Sequence, residues 1–325
     1  MVVAGGAGFI GSSLCKSLLD HGYKVICIDS LITGDKKNIE QLFKNPKFQF
    51  IQHDITQPIS SIKYKELSWP AGRADIKYIF HLASPASPNK KSKRSYINHP
   101  IETLLTNSIG AYYLLELSRN SAACFLYASS SEIYGDPKVS PQSEGYFGNV
   151  NPNGIRSVYD EGKRFGEALT MGYVRKHGTD ARITRIFNTY GPNMQTDDGR
   201  VISNFINQAI TNKPITIYGD GSQTRSFCYI DDMIEGLKRA MFLDKTKGEV
   251  INLGNQDEWT ILELAKLIKQ MTSSSSEIIF EELPEDDPKS RNPDISKAKK
   301  LMGWEPKIGI EDGLRKTIQY CKNTR

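Results

Sequence analysis

Tyr159 and Lys163 stand four residues apart in SVYDEGKRFGEALTMGYVRKHG, residues 157–178. On a helix that spacing sets a phenol and an ammonium on one face. A positive charge favours the phenolate and lowers the phenol's pKa, which suits the pair to taking a proton from a hydroxyl. Phe165, Ala168, Leu169, Gly172 and Tyr173 recur at three- and four-residue spacing and predict the helix. Ser157 is expected as its N-cap and Gly178 as its stop. Tyr-x-x-x-Lys alone occurs by chance on many surface helices, so the rest of the chain must supply the context.

A second group opens the chain. GGAGFIG places Gly5, Gly8 and Gly11 at three-residue spacing, directly after the apolar Met1–Ala4. A helical stretch, Ser12 to His21, follows, then the apolar KVICID ending in Asp29. Strand, glycine turn, helix, strand and acid in this order are the context a dinucleotide-binding turn requires. Small residues let the backbone approach a pyrophosphate, and the helix N-terminus donates to it. Asp29 is placed to accept from ribose hydroxyls and to repel a ribose phosphate, which favours NAD over NADP.

The elements that must position these groups follow the same alternation. FQFIQHD ends at Asp54, IKYIFHLA at Ala83, ACFLYASS at Ser130 and RITRIFN at Asn188, with a helix expected over Ile101 to Asn120. This predicts an α/β fold with a doubly wound parallel sheet. Ligands bind beyond the carboxyl ends of such strands, where Asp29, Asp54, Ser84, Ser130 to Glu132 and Asn188 to Tyr190 all fall. Residues 1–188 are expected to form the cofactor domain, completed by a segment near 228–255, and 189–325 to be mainly a smaller substrate lobe. In that lobe helices are expected over Val201 to Asn212 and Asp231 to Leu243, and after the capping box Thr260 to Glu263.

Composition narrows the class. The chain has 325 residues, enough for one or two domains, and a net charge of +5 with scattered basic residues. The dense cluster Lys90, Lys91, Lys93 and Arg94 reads as a solvated loop, so no nucleic-acid partner is expected. No apolar run approaches a membrane span and no signal peptide is seen, so a cytoplasmic protein is expected. Five cysteines without a Cys-x-x-Cys predict free thiols, with Cys27 and Cys124 buried, in a reducing compartment. His53, His81, His99 and His177 lack metal-like spacing, and no metal is expected.

GGAGFIG, Asp29 and YDEGK at 159–163 resemble the extended short-chain dehydrogenase/reductase family, a Rossmann fold. HLASPASP (81–88), SSSEIYGDP (129–137), RIFNTYGP (185–192), YGDGSQTRSFCY (218–229) and PDISKAKKLMGWEP (293–306) are similar to its UDP-glucuronate decarboxylase, or UDP-xylose synthase, family. The resemblance implies NAD-dependent conversion of UDP-glucuronate to UDP-xylose and carbon dioxide through a 4-keto intermediate. It implies Tyr159 as base at the C4 hydroxyl, Lys163 as its partner and Ser130 on the C4 oxygen. Ser131 and Glu132 would handle the ring and the C5 proton, and Arg291 would orient the sugar or its carboxylate.

Around NAD the resemblance places Gly5, Gly8, Phe9, Ile10 and Gly11, then Asp29, Ser30, Thr33 and Gly34. Asp54, Ile55, Leu82, Ala83 and Ser84 follow, with Thr106, Ala128 and Thr189. Around the UDP-sugar it places Ser84, Asn188, Arg200, Val201, Asn204, Tyr218 and Arg225. Arg200 and Arg225 would face the diphosphate or ribose, or instead pair with Asp197, Asp198 or Asp220. Glu132 has an alternative as a turn feature near a helix dipole, and Arg291 as an exposed loop arginine. The chain departs from the family in a short first strand, in long 60–74 and 87–100 segments, and in Leu105, where the family tends to carry a lysine. The resemblance also implies a homodimer that packs the Tyr/Lys helix and a preceding helix against a partner, although the same stripe suits internal packing. A sibling 4-epimerase or 4,6-dehydratase, a silent NAD-binding sensor or scaffold, and a decarboxylase that leaks its intermediate are the competing functions.

Overall fold

The computed structural model describes residues 1–58, 75–195, 198–282 and 291–324, and the backbone of 68–69, 72–73 and 290. Asp197 and most of the 60–74 segment lie outside the described residues. Seven parallel strands form the central sheet: β1 (Val2–Ala4), β2 (Val25–Asp29), β3 (Phe48–Gln52), β4 (Tyr78–His81), β5 (Cys124–Ser130), β6 (Ala181–Ile186) and β7 (Val250–Leu253). Their order is β7-β6-β5-β4-β1-β2-β3. The chain winds outward in both directions from β1, so a crevice opens beyond the ends of β1 and β4. β7 comes from residue 250 onward and pairs in register with β6, Val250 beside Ile183 and Leu253 beside Ile186.

Alternation of side chains across the strands makes two cores. Val3, Val25, Cys27, Phe80 and Leu126 pack with Leu14 and Leu18 of α1 (Phe9–Asp20) on one face. Val2, Ala4, Ile26, Ile28, Ile79, Phe125 and Tyr127 pack with Leu114, Leu115 and Tyr173 on the other. Both faces are covered, which is why the strands read as continuous apolar runs. The three-residue β1 is braced at its start, where the Met1 amine donates to the Lys24 carbonyl at 2.7 Å.

On the second face the expected 101–120 helix is α2 (Pro100–Leu105) and α3 (Ala111–Ser121), joined by a π turn at Thr106–Gly110. Such wide turns cluster at functional sites. The long helix α4 (Ser157–His177) ends on Gly178, whose φ of 65° is the left-handed stop the sequence predicts. Its N-cap is Arg156, with no side-chain cap bond, so Ser157 is the first helical residue and not the cap. Cys27 is buried, but Cys124 is only half-buried: it is the first residue of β5, and its thiol reaches Asp180 at 3.0 Å.

The remaining chain adds α5 (Val201–Ile210), α6 (Ile230–Phe242) and α7 (Ile261–Thr272) with small sheets. Thr260 and Glu263 form the expected capping box at α7. Thr224–Ser226 lies between Glu258–Thr260 and Ser290–Arg291, which fixes Arg225 beside Arg291. Trp304 is 2% exposed and its indole N–H donates to the Asp232 carbonyl at 3.0 Å, tying the C-terminal segment to α6. Among the described residues no helix is long and apolar enough to cross a membrane.

Candidate active site

The glycine turn is set by close approaches. Gly5 has φ +81°, and a Cβ there would lie 2.5 Å from the Ala83 nitrogen. A Cβ on Gly11 would lie 2.0 Å from the Gly5 carbonyl oxygen, so neither position admits a side chain. Asp29, at the end of β2, accepts from the Ala7 amide at 2.9 Å and the Leu31 amide at 2.8 Å. Burial raises its pKa and these two amide bonds oppose the rise. A Cβ on Gly34 would come within 2.7 Å of the Asp29 carboxylate.

One cleft collects most of the residues expected around a dinucleotide. Gly5, Gly8, Asp29, Ser30, Thr33 and Gly34 line it from one side, and Asp54, Ile55, Leu82, Ala83, Ser84 and Thr106 from the other. Ile28, Ile32, His53 and Pro85 line it too, although none of them was among the residues expected around the cofactor. Phe9, Ile10 and Gly11 form the first turn of α1 beside it. Ala128 and Thr189 are buried deeper, Ala128 with its carbonyl to Lys163 and Thr189 with its hydroxyl to the Phe187 carbonyl.

α4 carries Tyr159 and Lys163 into the interior, at 7% and 3% exposure. Lys163 donates to the Ala128 carbonyl at 2.8 Å and its Nζ lies 5.7 Å from the centre of the Tyr159 ring. The acidity expected of the pair is not that of the protein without ligand. Burial pushes the Tyr159 phenol up to about 12, against a hydrogen bond with Ser130 and the charge of Arg200. Burial also brings the Lys163 ammonium down to about 7, against Glu167, so the lysine is itself only loosely held as a cation. Tyr96, from the long 87–100 segment, stacks on Tyr159 with ring centres 5.0 Å apart. Asn107, in the π turn, donates to Ser84 Oγ at 2.8 Å and accepts from the Tyr127 hydroxyl at 3.0 Å.

Beyond Ser130 the chain turns through Ser131–Tyr134, where the Glu132 amide donates to Ser130 Oγ at 3.2 Å. The Glu132 carboxylate accepts from Arg156 at 2.5 Å and from Arg291 at 3.3 Å. Arg291 also donates to the Ser131 carbonyl and is 2% exposed, so it is not a solvated loop arginine. Burial would raise the Glu132 pKa, but Arg156, Arg291 and Arg225 outweigh it and hold the carboxyl at about 2. Asp160 is buried beside this group. Arg156 and Asp160 were missed as site residues, though both lie within three residues of Tyr159. Their signal was two charges at i, i+4 at a helix start, which ordinarily means a surface pair.

The residues expected around a sugar nucleotide are only partly gathered. Arg200 pairs with Asp198 at 3.2 Å and donates to the Ala86 carbonyl, while its charge also reaches Tyr159. Arg225 donates to the Thr224 carbonyl at 2.8 Å and its charge acts on Glu132. Asp220 binds Ser222 and neither arginine among the described residues. Val201 and Asn204 lie in the first turn of α5, and Asn188 reaches the Ser226 carbonyl at 3.4 Å. Tyr218 ends the strand Ile215–Tyr218 at 37% exposure, and no contact among the described residues joins it to the Glu132 group. Leu105 ends α2, also 37% exposed.

A parallel sheet with a glycine turn at its switch point and a buried Tyr/Lys pair beyond β5 defines the extended short-chain dehydrogenase/reductases. The model of the family described as GDP-mannose 4,6 dehydratase matches residues 2–317. The chain is 45% identical over 320 residues to UDP-glucuronic acid decarboxylase 1 of Danio rerio, covering 98% of this chain and 72% of that protein. It is 47% identical over 317 residues to UDP-glucuronic acid decarboxylase 4 of Arabidopsis thaliana, 97% of this chain, and spans 66% of the length of that relative. Among solved structures, UDP-glucuronic acid 4-epimerase from Bacillus cereus in complex with UDP-glucuronic acid and NAD superposes with a TM-score of 0.86 at 32% identity, over 100% and 99% of the two chains. The chain belongs to the extended short-chain dehydrogenase/reductase family, within its UDP-glucuronic acid decarboxylase branch.

Proposed function

We propose that this protein converts UDP-glucuronate to UDP-xylose and carbon dioxide with NAD held in the β1/β4 crevice. The observation that carries the reading is the Glu132–Arg291 pair, which joins the turn after Ser130 to the 290–291 strand beside Tyr159. The crevice fits a dinucleotide, because Gly5 and Gly11 leave it no side chain and the first amides of α1 have no helical acceptor. Asp29 and the turn through Gly34 would hold the adenosine ribose, and Lys163 with Asn107 nearby the other end. NAD bound there supplies a hydride acceptor at the sugar C4, a fixed positive charge near Tyr159, and the hydride returned at the end.

The chain's own groups do the rest. Tyr159 takes the C4 hydroxyl proton, aided by Ser130 on the same oxygen and by Lys163 beneath the ring. The oxidised sugar is a β-keto acid, so its C4 carbonyl accepts the electron pair as carbon dioxide leaves. Arg291 and Arg156 anchor Glu132, and Arg291 orients the sugar carboxylate before it departs. Arg200 and Arg225 supply guanidinium donors suited to a diphosphate. Tyr159 returns its proton to the C4 oxygen at the end.

A second copy of the chain is proposed to pack on the α3/α4 face. Ile109, Tyr112 and Phe165 are 40%, 44% and 53% exposed there, with Leu104 and Leu169 lining the same hollow. Incubation with UDP-glucuronate and NAD, followed by NMR, tests the function. UDP-xylose and carbon dioxide are expected. A product that keeps its carboxylate with C4 inverted identifies a 4-epimerase, and unchanged substrate identifies a binding protein.

A further inference from the structure

The reaction proposed above consumes one proton per turnover. The bond from C5 to the carboxylate breaks, carbon dioxide leaves, and a C5–H bond replaces it. Tyr159 cannot supply that proton, since the one it removes goes back to the C4 oxygen. Glu132 cannot supply it either: a carboxylate 2.5 Å from one guanidinium and 3.3 Å from another does not hold a proton near neutral pH.

Among the described residues, the other carboxyl in this cluster is Asp160. It lies in the first turn of α4, 5% exposed, immediately after Tyr159. Its Oδ1 is buried and has no hydrogen-bond partner among the described residues. It is faced by Glu132 from the 131–134 turn, by Arg156 from the loop before the helix and by Arg291 from the 290–291 strand. Tyr96 faces it from the 87–100 segment, and Tyr159 and Glu161 from its own helix. Both arginines are already engaged by Glu132. A second negative charge beside that carboxylate, in a buried site, is disfavoured, and the protonated acid is the state such an environment selects.

Resting on the functional reading above, we infer that Asp160 is the acid that stores the proton consumed in each turnover and releases it toward C5 once carbon dioxide has left. The electron pair left by the broken bond is held in the C4 carbonyl as an enolate. Collapse of the enolate takes the Asp160 proton onto C5, and the carboxylate left behind is recharged from solvent. Burial and the charge of Glu132 push the Asp160 carboxyl up to about 8, with Arg156 and Arg291 opposing. It therefore holds its proton below that pH and is empty above it, so turnover falls as pH rises through that value.

Two measurements on the full chain test this. Infrared difference spectra of the protein without ligand should show a protonated carboxyl band that titrates near pH 8 and is missing from Asp160→Asn. With NAD and UDP-glucuronate, Asp160→Asn should keep the single-turnover rise in NADH absorbance, lose roughly 100-fold in kcat, and lack the part of the alkaline limb due to this acid. Asp160→Glu should restore turnover and that limb. Wild-type kcat in Asp160→Asn overturns the inference, and so does a slow variant with an unchanged limb, which marks a structural role. If Asp160→Asn loses the NADH rise as well, Asp160→Glu decides: recovery of the rise and the limb supports the inference, and no recovery overturns it. A wild type that releases no carbon dioxide overturns the functional reading instead, and is recognised before any variant is compared.

Discussion

The dinucleotide crevice and the charged cluster beyond β5 lie at the same edge of one sheet, yet they are built differently. The crevice is made by backbone. Gly5 and Gly11 are close-approach points, and Asp29 is held by two main-chain amides, those of Ala7 in the glycine turn and of Leu31. The cluster is made by side-chain charge drawn from three places in the chain: Glu132, the helix start with Arg156 and Asp160, and Arg291. A site set by close backbone approach is sensitive first to added volume. A buried charge cluster behaves the other way, because each charge is kept in place by the others and removing one leaves another uncompensated.

The largest difference between the two regions should come at Tyr159, which stands between them. Tyr159→Phe should bind NAD as wild type does and lose roughly 10²–10⁴-fold in turnover, the range for a positioned general base. Isothermal titration with NAD and a steady-state assay check the two halves, and near-normal turnover would place the base elsewhere.

Within the cluster, Glu132→Ala and Arg291→Ala should each cost about 2–4 kcal/mol of transition-state stabilisation, roughly 30- to 1,000-fold in rate. NAD affinity should be unchanged, since neither residue lines the crevice. Carbon dioxide release and NADH absorbance followed in one single-turnover run separate the steps. Wild-type release of carbon dioxide in both variants would reduce the pair to a structural one.

The crevice gives a smaller effect. NAD should bind at least about tenfold better than NADP, about 1.4 kcal/mol, because a 2′-phosphate would face the Asp29 carboxylate. Equal affinities by titration would mean that Asp29 does not read the ribose. Smallest in catalytic terms is the outer face of α4: the wild type should sediment as a dimer and Phe165→Glu as a monomer with its sheet intact, and a monomeric wild type would remove the proposed interface.

Much of this was readable residue by residue. The order of strand, glycine turn, helix, strand and acid depends on neighbours in the chain, and so do the Tyr159/Lys163 spacing, the Gly178 stop and the Thr260–Glu263 box. Local backbone chemistry alone sets them. Other features escaped because their causes are non-local. The π turn at Thr106–Gly110 looks like ordinary helix in sequence, and its purpose appears only where Asn107 meets Tyr127 and Ser84. Ser157 has the chemistry of a cap, but Arg156 is already turned toward Glu132 and takes that position. Tyr218 matched a family block and yet sits at the exposed end of a short strand.

Spacing and residue type thus decided the sheet, the crevice and the Tyr159/Lys163 pairing, since periodicity and turn chemistry act over a few residues. The ionisation of the site was decided by the folded chain. Tyr159 is less acidic than its lysine neighbour suggests, because burial weakens both charges together. Glu132 and Asp160 are both acidic side chains, but one is held near 2 and the other near 8. Residue type cannot separate them. Burial and the charge of Glu132 raise Asp160, whereas at Glu132 two bonded arginines, one of them more than a hundred positions away in sequence, outweigh burial.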